Sequence, residues 1–150
     1  MHLLTVIKDD YLITTDKTKL DIGFIHHFLS TEAYWSKGIP LEVVQRAAEH
    51  SLNFGVFHQD KQVGYARVVS DFATVAYLGD VFIIPAHRGK SLSKWLMEQV
   101  MAHPDLKGLR RWILLTRDAH ELYRQYGWQS IAGPDKWMEI HDPAVYAHGQ

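Results

Sequence analysis

Residues 77–103, YLGDVFIIPAHRGKSLSKWLMEQVMAH, constrain the fold of this chain more than any other stretch. An apolar run that is typical of a buried strand passes through a turn into a segment with apolar residues at helical spacing. The turn, residues 88–93, combines one glycine and two serines with Arg88 and Lys90. Backbone N–H groups and the helix dipole attract anions at such a position. The stretch therefore predicts a strand–turn–helix unit suited to phosphate or pyrophosphate, although an ordinary solvent-exposed turn can have the same residues.

Bulk composition is that of a single domain. The 150 residues, 47% of them apolar, are enough for a substantial core. The formal net charge of -1 provides no basic field for nucleic acid or an anionic membrane, so we expect neither partner. Cysteine is absent, which excludes disulfides and thiolate chemistry, and the ten histidines are too scattered to predict a metal site. No leader-like or membrane-spanning stretch is evident, so we expect a soluble cytoplasmic protein.

The segments before the turn predict helices followed by an antiparallel sheet. Apolar residues recur at helical spacing after Asp21, which suits a helix cap, and after Pro40, which suits a first helical turn. Polar residues separate three later β-rich segments, as in antiparallel hairpins. The expected elements are a strand at 11–14, helices from 21 and at 41–50, and strands at 53–58, 63–70 and 75–84.

The segments after the turn predict a crossover to a parallel strand. The helix that begins in the turn should end at Pro104, and an apolar strand follows at 111–117. Strand, helix and strand then have the length of a right-handed parallel crossover. The predicted fold class is therefore α/β with an α+β mixed sheet: one domain, mostly antiparallel, with one parallel βαβ crossover and flanking helices. Ligands of open sheets gather beyond the carboxyl ends of parallel strands, which is where the turn lies.

The last part of the chain predicts a short helix and a hairpin-like tail. Asp118 and Glu121 have the spacing of a capping box for a helix from Ala119 to about Tyr126. Apolar segments at 128–131 and 137–140 flank a Gly-Pro-Asp turn. This aromatic-rich tail leaves room for a homodimer.

Two motifs, in this order and separation, resemble those of the GNAT superfamily of acyl-CoA-dependent N-acetyltransferases. The first is the turn at 88–93. The second is DAHELYRQYGW at 118–128, which is similar to the family's helix with a tyrosine before Gly-Phe or Gly-Trp. Together with the order of the elements, the resemblance covers nearly the whole chain. It implies a GNAT-like domain that uses acetyl-CoA as co-substrate and acetylates a primary amine of a small molecule, peptide or protein.

The turn departs from the family's phosphate-binding pattern at two positions. Arg88 matches its first residue, but Ser91 stands where glycine is usual and Ser93 where glycine or alanine is usual. We interpret the requirement at Ser91 as clearance alone, because a residue in the first turn of a helix has a negative φ. We therefore expect CoA binding to persist, in weakened or altered form. The resemblance implies that CoA contacts the backbone of Phe82, Ile83 and Ile84, the turn residues Arg88, Gly89, Lys90, Ser91, Leu92 and Ser93, and Tyr123.

Tyr123 and Asp80 are the candidate catalytic residues. By resemblance, Tyr123 is the general acid that protonates the leaving thiolate, although its spacing also suits a core aromatic. Asp80 shares a strand face with aliphatic residues if the strand is regular, and a carboxylate there is costly unless it is paired. It could act as a base, bind the cationic amine, or form a structural ion pair. Asp71 and His120 are weaker alternatives to Asp80 for the amine side of the reaction, since Asp71 suits a turn cap and His120 a surface position.

The acceptor site is expected to be aromatic and acidic. Its candidate residues are Tyr34, Trp35, Asp71 and Asp80, which would suit a small cationic amine, a peptide N-terminus or a lysine. Two other functions remain open at this point. One is a non-catalytic acyl-CoA binding or sensing module on the same fold, and the other is a globular domain without a phosphate ligand.

Overall fold

The computed structural model describes residues 2–147, and six strands form one sheet in sequential order. The strands are β1 (Thr5–Lys8), β2 (Tyr11–Thr14), β3 (Leu52–His58), β4 (Lys61–Ser70), β5 (Val75–Ile83) and β6 (Arg111–Leu114). Neighbours from β1 to β5 are antiparallel, whereas β5 and β6 are parallel. The predicted mixed sheet and parallel crossover are confirmed. The short, mostly exposed β1 was not predicted, and it pairs with β2 as a hairpin.

Within the described residues, four α-helices flank the sheet: α1 (Ile22–His27), α2 (Leu41–Glu49), α3 (Leu92–Ala102) and α4 (His120–Arg124). Asp21 caps α1 as expected, because its carboxylate accepts a hydrogen bond from the backbone N–H of Phe24 at 3.0 Å. Pro40 is the residue before α2 and has extended backbone angles. Directly after α1 the chain widens into a π-helical turn, Phe28–Glu32, closed by a hydrogen bond from the N–H of Ala33 to the carbonyl of Phe28.

Two cores lie on opposite faces of the sheet. One packs α3 against the central strands and contains Trp95, Leu96 and Met97. The other packs α1 and α2 against the sheet and contains Tyr65 and Phe82, which alternate along their strands with residues of the first core. Burial of each large apolar side chain contributes about 1.5–3 kcal/mol. No helix among the described residues is both long and apolar enough to cross a membrane.

The C-terminal part differs from the sequence predictions. The capping-box prediction was wrong, since α4 follows Ala119 and no side chain of residues 2–147 caps it. The N–H of Ala119 donates instead to Thr116 Oγ1 at 3.0 Å. The terminal hairpin was also wrong, because residues 128–147 contain short 3-10 turns and no strand. Strand β6 ends at Leu114, three residues before the predicted end. The apolar pattern is present in each segment, but a strand also needs a pairing partner.

Acidification should destabilise the fold through His103, which is completely buried. Burial lowers the pKa of its imidazole, and Nδ1 accepts a hydrogen bond from the N–H of Asp105 at 3.1 Å. As pH falls below about 6.5, the unfolded chain binds a proton that the folded chain does not. The free energy of unfolding should therefore fall, by at most about 1.4 kcal/mol per pH unit for this group.

Urea unfolding at several pH values between 7.5 and 5 on the wild type and on His103→Asn measures this effect. Asparagine retains an acceptor but does not titrate, so the variant should lose less stability on acidification. Equal pH slopes for the two proteins would contradict the assignment.

Candidate active site

Strands β5 and β6 separate at their carboxyl ends. Their parallel pairing joins Val75–Leu78 to residues 111–114 and ends there. Beyond Leu78, β5 continues to Ile83 and, among residues 2–147, pairs with β4 alone. The N–H of Ile84 donates to the carbonyl of Val63 at 2.9 Å. The side of β5 that faces β6 therefore has backbone groups without a neighbouring strand over residues 79–83. An extended molecule with amide groups could pair there as a strand would.

The turn that follows β5 presents the N-terminus of α3. Gly89 (φ 79°) and Ser91 (φ 61°) both have left-handed backbone angles, and no side chain in the described part of the chain caps the helix. The first N–H groups of the helix are therefore available to an anion. Arg88 and Lys90 are exposed beside them, and the Nε of Arg88 donates to the carbonyl of Ile83 at 2.8 Å. This arrangement fits a diphosphate group.

The backbone angle at Ser91 differs from the sequence prediction. We expected a negative φ at this position, but the residue precedes α3 in the left-handed region, where glycine is favoured over other residues. The requirement at this position is therefore conformational as well as one of space. A residue other than glycine, asparagine or aspartate costs about 1–2 kcal/mol in this region.

Ser91→Gly should raise the free energy of unfolding by up to about 1 kcal/mol, because it relieves this backbone strain. The gain is reduced because glycine gives the unfolded chain more conformational freedom to lose on folding. Ser93→Gly is the matched control. Ser93 lies inside α3, where glycine is a poor helix former, so its replacement should lower stability by about 0.5 kcal/mol. Urea unfolding measures both variants, and shifts in the same direction would refute this explanation.

The side chains at the end of β5 belong to the cores. Phe82 stacks on Phe28 with 3.8 Å between ring centroids, and Ile83 packs on the opposite face of the sheet. Ile84 is half-buried, and the side chain of Leu92 is buried under the turn. Phe82, Ile83, Ile84 and Leu92 can therefore contact a ligand mainly through their backbone. Backbone contact with CoA is also the prediction made above for residues 82–84.

Tyr123 lies on α4 with 7% of its surface exposed. Burial raises the pKa of its hydroxyl to about 12, and the Asp118 carboxylate and Tyr34 act in the same direction. The hydroxyl forms no hydrogen bond with any residue that the structure describes, while the ring packs against Trp128 at 5.9 Å. The group is thus protonated at neutral pH and available to donate.

Asp80 occupies a bulge, not a regular strand position. Tyr65 pairs with Phe82 and Arg67 with Gly79, so two residues of β5 oppose one of β4, and Asp80 has a φ of 53°. The expectation that Asp80 shares a regular face with Leu78, Phe82 and Ile84 is therefore wrong.

Both carboxylate oxygens of Asp80 have donors. Oδ2 accepts from Arg67 Nε at 2.8 Å, and Oδ1 accepts from Trp35 Nε1 at 2.9 Å. The side chains of Asp80 and Arg67 are only 15% and 19% exposed. The structure thus contains the ion pair that was one of the alternatives for Asp80.

Tyr34 and Trp35 connect the two separating strands. Their rings meet edge to face at 5.1 Å. Trp35 reaches Asp80 on β5, whereas Tyr34 lies under the guanidinium of Arg117, 3.8 Å from its ring centroid, just after β6. The structure therefore brings together three of the predicted residues, namely Tyr34, Trp35 and Asp80. Tyr34 is also near enough to Tyr123 to help raise the pKa of its hydroxyl.

Asp71 does not join this group through any contact among residues 2–147. It caps the turn before β5, where Oδ1 accepts from the N–H groups of Ala73 and Thr74 at 2.9 and 2.7 Å. Oδ2 accepts from the Thr74 hydroxyl, and these hydrogen bonds hold the pKa of Asp71 well below its usual range. His120 is exposed in the first turn of α4.

Sequence reasoning missed several residues beside the site. Arg67 and Arg117 contact predicted residues, and an arginine within an apolar strand was the available signal for Arg67.

Near the turn, the Tyr11 hydroxyl and His87 Nδ1 form a 2.7 Å hydrogen bond. Burial, the His58 ring and the Lys90 ammonium lower the pKa of His87. A depression of about 300 Å³ between Lys90 and the β1–β2 turn adjoins these groups, and no local motif indicates it.

Comparison with known proteins identifies the family. Residues 22–128 match the model of the acetyltransferase (GNAT) family. A protein of Gibberella zeae, named as a candidate acetyltransferase, is 30% identical, and the match covers 77% of each chain. The crystal structure of a candidate GNAT acetyltransferase from Xanthomonas campestris pv. campestris is 54% identical, with a TM-score of 0.90 over 91% of this chain and 96% of the other.

A more distant structure shares the fold. It is a predicted acetyltransferase from Clostridium acetobutylicum, crystallised with acetyl-CoA, with 15% identity and a TM-score of 0.63 over 93% of this chain and 98% of that one. The family match spans more than half of the sequence, and the Xanthomonas structure agrees with it over nearly the whole chain. This chain therefore belongs to the GNAT family of acetyltransferases.

Proposed function

We propose that this protein transfers the acetyl group of acetyl-CoA to a primary amine. The observation that carries the proposal is the separation of β5 from β6 beyond Leu78, directly before the uncapped N-terminus of α3. The free edge of β5 offers backbone groups to an extended chain. The N-terminus of α3 and the turn before it offer N–H groups and cations to a diphosphate. Bound there, acetyl-CoA would supply an activated thioester.

The residues of the site divide the remaining tasks. Arg88, Lys90 and the N–H groups of residues 91–93 hold the diphosphate, and the backbone of residues 82–84 aligns the pantetheine arm. Tyr123 donates the proton that the leaving thiolate needs, since burial keeps its hydroxyl protonated. Holding the amine and the thioester in alignment supplies much of the remaining rate enhancement.

The acceptor side is aromatic and of mixed charge. Both carboxylate oxygens of Asp80 accept hydrogen bonds, one from Arg67 and one from Trp35, which favours a positioning role for Asp80 through Trp35. Tyr34 and Trp35 form the wall against which we propose the amine lies, with the Arg117 guanidinium at its far end. A small amine and a peptide amine both suit this description, and a cytoplasmic location remains a prediction.

A spectrophotometric thiol-release screen with acetyl-CoA tests the proposal. The panel should include amines, amino acids, polyamines and peptides, with mass spectrometry of the acetylated product. We expect release of CoA with at least one class of amine, and a higher melting temperature with acetyl-CoA alone. No thermal shift and no release with any acceptor would refute the function.

Arg88→Ala should weaken acetyl-CoA binding on the order of 10- to 100-fold, because charge-assisted hydrogen bonds to a phosphate are lost. Isothermal titration measures the change. Arg46→Ala is the matched control, since Arg46 is an exposed arginine on α2, away from the turn. Unchanged affinity in Arg88→Ala, or an equal loss in both variants, would place the diphosphate elsewhere.

A second candidate function is non-catalytic binding or sensing of acyl-CoA. It is favoured by the strained serine at position 91, where family members usually have glycine. Binding without acetyl transfer across the whole panel would support it, and steady turnover would exclude it.

A further inference from the structure

The guanidinium of Arg117 lies at the acceptor wall without an anion to balance its charge. It is exposed just after β6 and stacks over the ring of Tyr34, 3.8 Å from the ring centroid. None of the ion pairs among residues 2–147 includes Arg117. A guanidinium that stacks on a ring keeps its N–H donors in the plane of the group, where they can still reach an acceptor. Arg117 is therefore a cation held by an aromatic ring, with its donors available.

Tyr34 places this cation close to the proposed general acid. Besides burial, the Asp118 carboxylate and Tyr34 raise the pKa of the Tyr123 hydroxyl, so both groups lie near that hydroxyl. The ring of Tyr34 also meets Trp35 edge to face at 5.1 Å. Arg117 thus belongs to the same wall as the residues against which the amine is proposed to lie.

The carboxylates of the site do not neutralise Arg117. Both oxygens of Asp80 already accept hydrogen bonds from side chains of the protein. Asp118 follows Arg117 in the chain, but the two form no ion pair in the described part of the structure. The sequence predicted an acidic acceptor site, whereas the unpaired charge of the wall beyond Tyr34 is positive. An acceptor that carries an anionic group besides its amine would match this arrangement, and a plain amine would not.

We infer that the acceptor is an amine that also carries a carboxylate, and that Arg117 binds this carboxylate. The inference rests on the proposed function, since it assigns the acceptor of the same reaction. A guanidinium and a carboxylate form two parallel hydrogen bonds in one plane, so the stacked Arg117 would orient the acceptor as well as bind it. One arginine matches the single charge of a carboxylate better than the two charges of a phosphate ester. Amino acids and short peptides belong to this class, whereas alkylamines and polyamines do not.

Matched acceptor pairs in the thiol-release assay test the inference. The panel consists of α-amino acids, ω-amino acids and short peptides, each paired with its primary amide, and of phosphoethanolamine as the phosphate ester. Arg117→Gln should lower kcat/KM for the best carboxylate by about 10- to 100-fold, mainly through KM, because the charge-assisted pair is lost. Its kcat/KM for the corresponding amide should stay unchanged. Arg117→Lys keeps the charge without the planar group and should recover only part of the loss.

Arg110→Gln is the matched control, because Arg110 is an exposed arginine at the opposite end of β6. Its kcat/KM should equal that of the wild type for both members of each pair. Circular dichroism verifies that Arg117→Gln is folded. Isothermal titration of the same compounds into CoA-saturated protein adds a readout that does not require turnover, and there the carboxylates should bind more weakly to Arg117→Gln alone.

The outcomes separate this inference from the proposed function. Acetyl transfer with an equal effect of Arg117→Gln on carboxylates and amides, or with no effect on either, would overturn the inference and leave the function intact. A preference for phosphoethanolamine over every carboxylate would overturn it as well, and so would the absence of carboxylate binding. Carboxylate binding that depends on Arg117, without transfer to any compound, would support the binding site and refute the function.

Discussion

Tyr123→Phe should lower kcat for acetyl transfer by about 10²–10⁴-fold, the usual contribution of a general acid. The affinity for acetyl-CoA should change little, because the ring and its contact with Trp128 remain. Steady-state kinetics with the best acceptor from the thiol-release screen, together with isothermal titration of acetyl-CoA, separates the two effects.

The pH profile gives a second measure of the same residue. Because the pKa of Tyr123 is raised to about 12, the wild-type kcat should show no alkaline decline due to this group below that pH. Tyr126→Phe is the matched control, since the Tyr126 hydroxyl donates to the Lys94 carbonyl at 3.1 Å, away from the separating strands. Its kcat should equal that of the wild type. A Tyr123→Phe enzyme with unchanged kcat would show that this tyrosine only packs the core.

Asp80→Asn should lower the free energy of unfolding by about 2–4 kcal/mol, because it leaves the mostly buried Arg67 without its carboxylate. The backbone at position 80 is not the cause, since asparagine tolerates left-handed angles as well as aspartate does. Urea unfolding measures the loss, and kcat should fall as well because Trp35 loses an ionised acceptor.

Arg67→Met and the double variant complete a thermodynamic cycle. If the ion pair is the main role of Asp80, the double variant should be less destabilised than the sum of the single variants by about 0.5–3 kcal/mol. Unchanged stability in Asp80→Asn, combined with loss of the acidic limb of the pH–rate profile, would instead identify Asp80 as a free catalytic base.

The parts of the site that a local pattern encodes could be predicted from sequence. The apolar run of β5, the small residues of the turn and the amphipathic α3 each leave a signal within a few positions, and their order indicates the parallel crossover. The turn itself indicated Arg88, and the family's second motif then added Tyr123 to the candidate list.

The remainder depends on long-range contacts or on exact backbone angles. The bulge at Asp80 arises from the register between β4 and β5, which apolar alternation does not specify. The contact of Tyr34 with Arg117 joins distant segments of the chain. The left-handed angle at Ser91 was missed because the position was assigned to the helix instead of to the residue before it. The tail was predicted as strand because periodicity does not reveal whether a partner strand is available.

The wide π-helical turn Phe28–Glu32 has a consequence for how acceptor preference could change within a lineage. Such a turn contains one residue more than an α-helical turn. Deleting one residue from it would restore regular winding, rotate the two aromatic residues that follow by about 100° and draw them back by about 1.5 Å. Tyr34 and Trp35 would then lose their present neighbours, while the elements from β4 to α3 would keep their sequence. A single codon loss could thus change the proposed acceptor wall while leaving the turn at residues 88–93 as it is.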